Sequence, residues 1–409
     1  MVPPCPDASL EELTDLTPLS EVNLSPDPHA AYARLREQWG EVAPIELEPG
    51  VPAWLILGYH EAIQVSRNDR AFSKNPDNWR LAAMVRNTDS TLAGMMTPLD
   101  HAYHADGERH RRLRAPLDDG LGGLDQHKTS RATRGICRDL IAKFEHRGEA
   151  DLVAEYAVLV PMLAVSGWFG IGTDEGHWLM RQFMQGFSPG KETREGPDAM
   201  FKLLTDHLTS RRENPTDDLT TAFVRHPNHH NDVEVMFAML LALVAGYQAT
   251  ISWIAQTLRV MLTDSRFSGR VRGGRLGLDD ALDEVLWRTP PFANSTGFFA
   301  LTDIEVGGRL IRKGDAVALS QVAANMDPRV HSDDPWLAIG NRAHLSYGSG
   351  PHSCPASQPS RIVTRVAVET VLTRLHDLRL TIPAGEITTM PSAWTMCPAG
   401  LPVRFTGFS

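Results

Sequence analysis

Apolar residues recur at helical spacing through most of the middle of the chain, and this pattern dominates from about Glu108 to Trp287. It is broken at Ser188-Pro189-Gly190, Gly196-Pro197 and Asn214-Pro215, where proline and glycine interrupt a helix. Earlier, the run from Asp27 to Gly40 reads as a helix ended by glycine. V-P-A-W-L-I-L-G-Y (51–59) reads as a strand bounded by turn residues. The segment I-E-V-G-G-R-L-I-R-K-G-D-A-V-A-L-S (304–320) changes character. Two strand-like runs flank Gly307-Gly308 and a turn follows at Gly314-Asp315, which predicts a small hairpin sheet. The stretch 235–258 is apolar nearly all round and predicts a buried central helix. Together these elements predict a mainly α protein with a small β region, folded as a single large domain over 21–409. The proline-rich, acidic residues 1–20 read as a loosely held tail.

Composition narrows the function classes. The 409 residues carry a formal net charge of −10, which argues against nucleic acid as a partner. Cys5, Cys137, Cys354 and Cys397 are widely and unevenly spaced, unlike a disulfide framework, so a reducing cytoplasm is expected. No uninterrupted apolar run approaches the roughly 20 residues that span a bilayer, and the N-terminus has no signal-like pattern; no membrane anchor is expected. The clustered histidines of H-P-N-H-H-N (226–231) lack regular ligand spacing and read as a polar loop.

The chemistry concentrates in Y-G-S-G-P-H-S-C-P-A, residues 347–356. Gly348 and Gly350 allow a tight backbone, and Cys354 stands just before a helix-like run from Ser357 to His376, where peptide dipoles favour a thiolate. By itself this spacing also fits a structural cysteine in a glycine turn. The stretch resembles the F-x-x-G-x-x-x-C haem loop of the cytochrome P450 superfamily, with Tyr347 at the aromatic position. Other segments arrive in the order of that family, over roughly Ser25 to Phe405. A-G-Y-Q-A-T (245–250) lies where the family has A-G-x-D/E-T, and His110 and Arg114 keep an H-x-x-x-R spacing. Ala324 to Pro328 resembles a family turn, as does P-T-D-D-L (215–219). His344 matches a histidine that often meets a haem propionate.

The resemblance implies the cytochrome P450 fold and haem b held by Cys354 as axial thiolate, with Tyr347, Gly348, Gly350, His352 and Ala356 in the surrounding loop. His110, Arg114 and His344 would serve the propionates, with Gly246, Gln248, Ala249 and Thr250 on the distal side. It also implies oxidation of a small, mainly apolar substrate with dioxygen and electrons from a ferredoxin-type partner. Arg109, Arg111 and Arg112 are candidates for a basic patch that meets this partner. The loops near 78–97 and 185–200, rich in methionine, tryptophan and glycine, are the candidate pocket walls.

Three departures accompany the match. Gln248 and Ala249 replace the acid and hydroxyl residues that relay protons; an amide holds water but does not change charge state. Thr250 lies about 100° further round the helix. In A-L-D-E-V-L-W-R, the E-x-x-R brace becomes Glu284 and Trp287, with Arg288 one residue late; this E-x-x-W variant resembles that of a small group of bacterial members. Glu284 and Arg288 can still pair locally, and Arg342 is a candidate replacement brace. Phe298 stands where R-x-A-x-x-D has arginine. Gln248 and Ala249 leave a peroxide-driven or otherwise atypical oxidase open as a rival reading, and the three departures together leave open a haem-binding regulatory or interaction protein that has lost turnover.

Overall fold

The apolar stretch 235–258 lies within the longest helix, Asp232–Thr263. The computed structural model describes residues 8–406 apart from 88–89, 91, 94–95, 187–194 and 332–339. Asn231 starts the central helix: its Oδ1 accepts from the Glu234 N–H at 3.0 Å, satisfying a donor that the first turn leaves open. The helix is long and apolar enough to cross a bilayer, yet it packs inside a bundle of helices. Its neighbours include Leu159–Trp168, Glu195–Glu213, Leu278–Arg288 and Ser357–Arg374. Asn214-Pro215 follows the end of Glu195–Glu213 as expected, but Gly196-Pro197 falls in that helix's first turn, where a missing N–H breaks no helical bond. Ser188-Pro189-Gly190 lies outside the described residues.

A second interaction fixes the start of this helix. Glu234 is buried, and Arg112 grips it with two bonds: Nη1 to Oε2 at 2.8 Å and Nη2 to Oε1 at 2.7 Å. Arg112 lies in the basic helix Gly107–Gly122, so this bidentate pair locks the helix carrying His110 and Arg114 to the central one. Arg112 is therefore taken out of the expected basic patch, and Arg109 pairs with Asp100; Arg111 is exposed.

The β part is larger than a hairpin. Strands β1 (Thr17–Pro18), β2 (Val42–Glu48), β3 (Val51–Ile56), β4 (Phe72–Ser73), β6 (Asn294–Ala300) and β9 (Ala316–Ser320) make one six-stranded sheet in the order β1-β2-β3-β9-β6-β4. β3 and β9 run parallel, while β2–β3, β6–β9 and β4–β6 are antiparallel. The predicted hairpin about Gly307-Gly308 is present as β7 (Ile304–Val306) and β8 (Arg309–Ile311), with both glycines at positive φ. β9, beyond Gly314, leaves it for the main sheet because all five of its residues are buried there. A three-stranded sheet joins β5 (Glu149–Asp151) to β10 (His376–Leu380) through β11 (Pro402–Thr406).

The expected loose tail over 1–20 is corrected by its described residues. Leu10 is buried against the cluster that holds Trp54 and Ile56, β1 pairs with β2, and Leu19 is fully buried. Apolar side chains dock this segment, whatever its proline content.

Burial of Glu234 against Arg112 yields a prediction. Arg112→Ala leaves a buried carboxylate without its partner and should lower the unfolding free energy by about 2 kcal/mol at pH 7, read by urea denaturation. The Arg112 bonds hold Glu234 down to about 2, from an ordinary 4.5. The group's contribution is complete above the ordinary value and disappears as pH falls toward 2, so the difference between wild type and variant should shrink over that window.

Candidate active site

The cysteine loop is shaped by backbone bonds. Cys354 N–H donates to Tyr347 O at 2.8 Å and Ser353 N–H to Gly350 O at 3.1 Å, which folds the segment back on itself before the helix Ser357–Arg374. Gly348 and Gly350 both take positive φ, 70° and 73°. Gly350 has a further reason to lack a side chain: a Cβ there would lie 2.3 Å from Ser66 O, so the loop abuts the helix Tyr59–Arg67. Tyr347 anchors the loop from above. Its ring meets Trp253 of the central helix edge-on at 6.1 Å, and its hydroxyl donates to Ser357 O at 3.2 Å.

Among the described residues the free thiols are Cys137 and Cys397, both buried, and Cys354, which has open surface. Ala356 N–H donates to Cys354 Sγ at 3.4 Å. Nevertheless burial raises the Cys354 thiol above its ordinary value, against the lowering effects of that N–H and of Arg114. In the protein alone, desolvation outweighs the Ala356 N–H and Arg114 at the Cys354 sulfur. Open surface and strong desolvation coexist when a side chain faces an enclosed space rather than bulk water. A cation placed there would deprotonate the thiol outright.

The brace beneath the loop differs from the expected one. Glu284 and Arg288 pair with each other within the helix Leu278–Arg288. The acid that crosses to the loop is Asp283, 2 % exposed. It binds Arg361 of the cysteine helix, accepts from Arg342 Nε at 2.9 Å, and has His344 Nε2 at 3.7 Å. Burial pushes the Asp283 carboxyl up, but the nearby His344 ring and Arg361 guanidinium outweigh this and hold it below the usual range. Trp287 Nε1–H donates to Asn341 O at 2.8 Å, so the indole ties the same helix to the chain entering the loop. Asn325 completes the arrangement, donating to Leu286 O at 2.9 Å and accepting from Leu345 N–H at 2.7 Å. His344 therefore sits in the brace, with both ring nitrogens lacking hydrogen bonds. Sequence reasoning missed Asp283; the signal was a second acid beside Glu284 among residues otherwise apolar and buried.

A cationic cluster lies on another side of the loop. His110 is buried with Nε2 unpartnered, and its ring stacks at 4.0 Å on His352. Arg114 reaches the loop itself, donating to Pro351 O at 3.3 Å and Ser353 O at 2.6 Å. Burial pushes His352 down to about 2, helped by the charges of Lys74, His110, Arg114 and His104. Arg114 is also paired with Asp118, Nε to Oδ1 at 2.7 Å. The polar loop at 226–231 behaves as expected, with His226 on Asp119 and His229 on Phe223 O.

The central helix presents a stripe of incompletely covered residues: Leu241, Ala242, Ala245, Gln248 and Ala249, with Ala245 exposed in mid-helix. Leu243, Tyr247, Thr250, Ile251 and Ile254 are buried on other faces. Thr250 thus points away, as its rotation around the helix requires. Gly246 is half-covered as well, and a Cβ there would make ordinary contact with Val165 of the helix Leu159–Trp168 at 3.4 Å. Of the loops expected to line the pocket, 187–194 and part of 88–95 lie outside the described residues. Trp79 and Met96 are core residues, with Trp79 stacked on Phe299 at 5.9 Å.

An open thiol, an uncovered stripe of small residues, and Arg114 beside a buried His110 with an unpartnered ring nitrogen suit a flat metal-bearing group that has carboxylate arms. Haem is such a group, and the residues present fit it. No family model matches the sequence. Among curated proteins, nocardicin C N-oxygenase of Nocardia uniformis subsp. tsuyamanensis is 29% identical, covering 93% of this chain and 96% of the relative. Cytochrome P450 monooxygenase PikC of Streptomyces venezuelae is 26% identical, covering 93% and 91%. The solved structure of CYP154C4 from Streptomyces sp. W2061 superposes with a TM-score of 0.83 at 26% identity, covering 97% of this chain and all of that one. Fold and site define a haem-thiolate protein. These likenesses place the chain in the cytochrome P450 superfamily, as one domain whose cofactor is haem on a cysteine thiolate.

The brace can be tested without the cofactor. Asp283→Ala strands Arg361 beside an empty position and should lower the unfolding free energy by about 3 kcal/mol. Trp287→Phe removes the N–H and shrinks the buried indole to a single ring, for an expected loss of about 1.5 kcal/mol. Urea denaturation of the two apoproteins reads both, and equal losses would refute this ranking.

Proposed function

We propose that this chain is a monooxygenase that oxidises a small, mainly apolar organic molecule with dioxygen and electrons from a ferredoxin-type partner, in the cytoplasm. The observation that carries the proposal is Cys354: a free thiol with open surface, desolvated, at the start of a helix and held by Tyr347, Gly350 and Arg114. When bound, haem over a thiolate supplies the redox chemistry by which dioxygen is split and one atom inserted. The named relatives, an N-oxygenase and a monooxygenase, support that reaction class. Neither the peroxide-driven nor the regulatory reading draws support from them.

The protein's own part is to hold and to exclude. Cys354 Sγ donates its electron pair, and the Ala356 N–H withdraws charge from it, which tunes the metal's potential. Ala245 and Ala249 leave room above. Gln248, partly uncovered on the same stripe, is the polar group there and holds water through its amide. His110 and Arg114 take the carboxylate arms.

The reduced protein with carbon monoxide should absorb near 450 nm, the position set by a thiolate ligand, and Cys354→Ser should abolish that band. A band near 420 nm in the wild type would overturn the assignment. Ala249→Thr should raise the fraction of electrons that reaches product rather than peroxide by about twofold or more, since a hydroxyl on the open stripe restores a proton donor of the kind worth about 10²-fold in general acid catalysis. Product and peroxide are quantified together, and an unchanged ratio would show that the wild type already has an adequate water route.

A further inference from the structure

Lys74 is the least expected charge in the molecule. It follows β4 directly and is 4 % exposed. Its Nζ lies over the Phe298 ring, 3.4 Å from the centroid, and over the Tyr103 ring at 4.8 Å. Its hydrogen bond is a long one, 3.4 Å to Thr296 O. Among the described residues no carboxylate comes within ion-pairing distance of it. Asp106, the acid close enough to influence it, is engaged with the Ser73 hydroxyl and with the backbone N–H of Lys74 at 2.8 Å. Burial lowers the Lys74 ammonium to about 7.

Burying an ammonium with only aromatic faces and one carbonyl is costly unless an anion is to arrive. The neighbours say where the anion would sit. Tyr103, whose ring the ammonium overlies, meets the His352 ring edge-on at 6.5 Å; His352 lies 4.0 Å from His110, one helical turn from Arg114. The ring under the ammonium is Phe298, the residue that replaces the arginine of R-x-A-x-x-D.

We propose that Lys74 supplies the cation that Phe298 removes: its ammonium, entering from β4, replaces a guanidinium entering from β6 and binds a haem propionate. Phe298 becomes the platform that holds the lysine, and Lys74, His110 and Arg114 form a three-sided receptor for the carboxylate arms. The inference rests on the haem reading of the same site.

The test compares wild type with Lys74→Met, Lys74→Arg and Lys74→Met/Phe298→Arg. The first readout is the rate of haem loss to excess apomyoglobin; the second is the thermal midpoint of each apoprotein. Lys74→Met should lose haem about 10-fold faster or more, the scale of one charge-assisted bond. Its apoprotein should be as stable as wild type or more so, because an uncompensated buried charge is gone. Lys74→Arg should retain haem, and Phe298→Arg in the methionine background should bring the rate back to within about threefold of wild type. Haem loss unchanged within twofold in Lys74→Met overturns the proposal, as does an apoprotein midpoint that falls while the double variant fails to recover haem. A wild type that shows no thiolate band with carbon monoxide overturns the haem reading itself, a different result from the first two.

Discussion

One carboxylate, that of Asp283, decides whether the cysteine loop has a fixed place. It is buried, and it gathers Arg361 from the helix after the cysteine and Arg342 from the chain before it. A charge in that position is tolerated because two guanidiniums and a histidine close on it. The loop is thereby clamped at both ends to the helix Leu278–Arg288. Trp287 and Asn325 add neutral bonds to the same contact. Everything described at Cys354 depends on that clamp, since a thiol at the wrong height would meet no metal.

Relocated charge is a common thread. Where the family resemblance leads one to expect Glu and Arg three residues apart, the crossing acid is the preceding residue and the cations come from other segments. Where it leads one to expect arginine at position 298, a phenylalanine carries a lysine on its face. In both cases the side chain moved but the charge returned from a neighbouring element. Sidedness explains why this is possible: the brace and the cationic cluster lie at junctions of several segments, so more than one backbone can deliver a side chain to the same space.

The central helix, the chain break at Asn214-Pro215, the hairpin about Gly307 and the cysteine loop were all legible, because each follows from local periodicity or from turn chemistry. What was not legible depends on register between distant segments. β9 reads as a hairpin arm, yet it belongs between β3 and β6, a choice made by burial on both faces. The contact of Gly246 with Val165 on a neighbouring helix is announced by no local pattern. Leu10 and Leu19 were hidden by the prolines around them. Asp283 and Lys74 were invisible for the same reason: a single charged residue carries no period, and its meaning lies in what three-dimensional packing brings to it.

The distal side follows a different rule. Charges at the brace and at the cationic cluster have been replaced from adjacent strands and helices, but the stripe Leu241, Ala242, Ala245, Gln248 and Ala249 has gained no acid and no hydroxyl. Thr250 is buried and stays so, because turning it inward would require winding the central helix by a quarter turn against Tyr247, whose hydroxyl bonds Ser166 at 2.7 Å. A helix pinned on its far side cannot lend its neighbour's hydroxyl to the near one. On the proposed reading, a proton crossing this face would travel on water that the Gln248 amide can hold. The structural charges were indispensable to folding and loop placement; the relay was not, which is why this fold can lose the second while restoring the first.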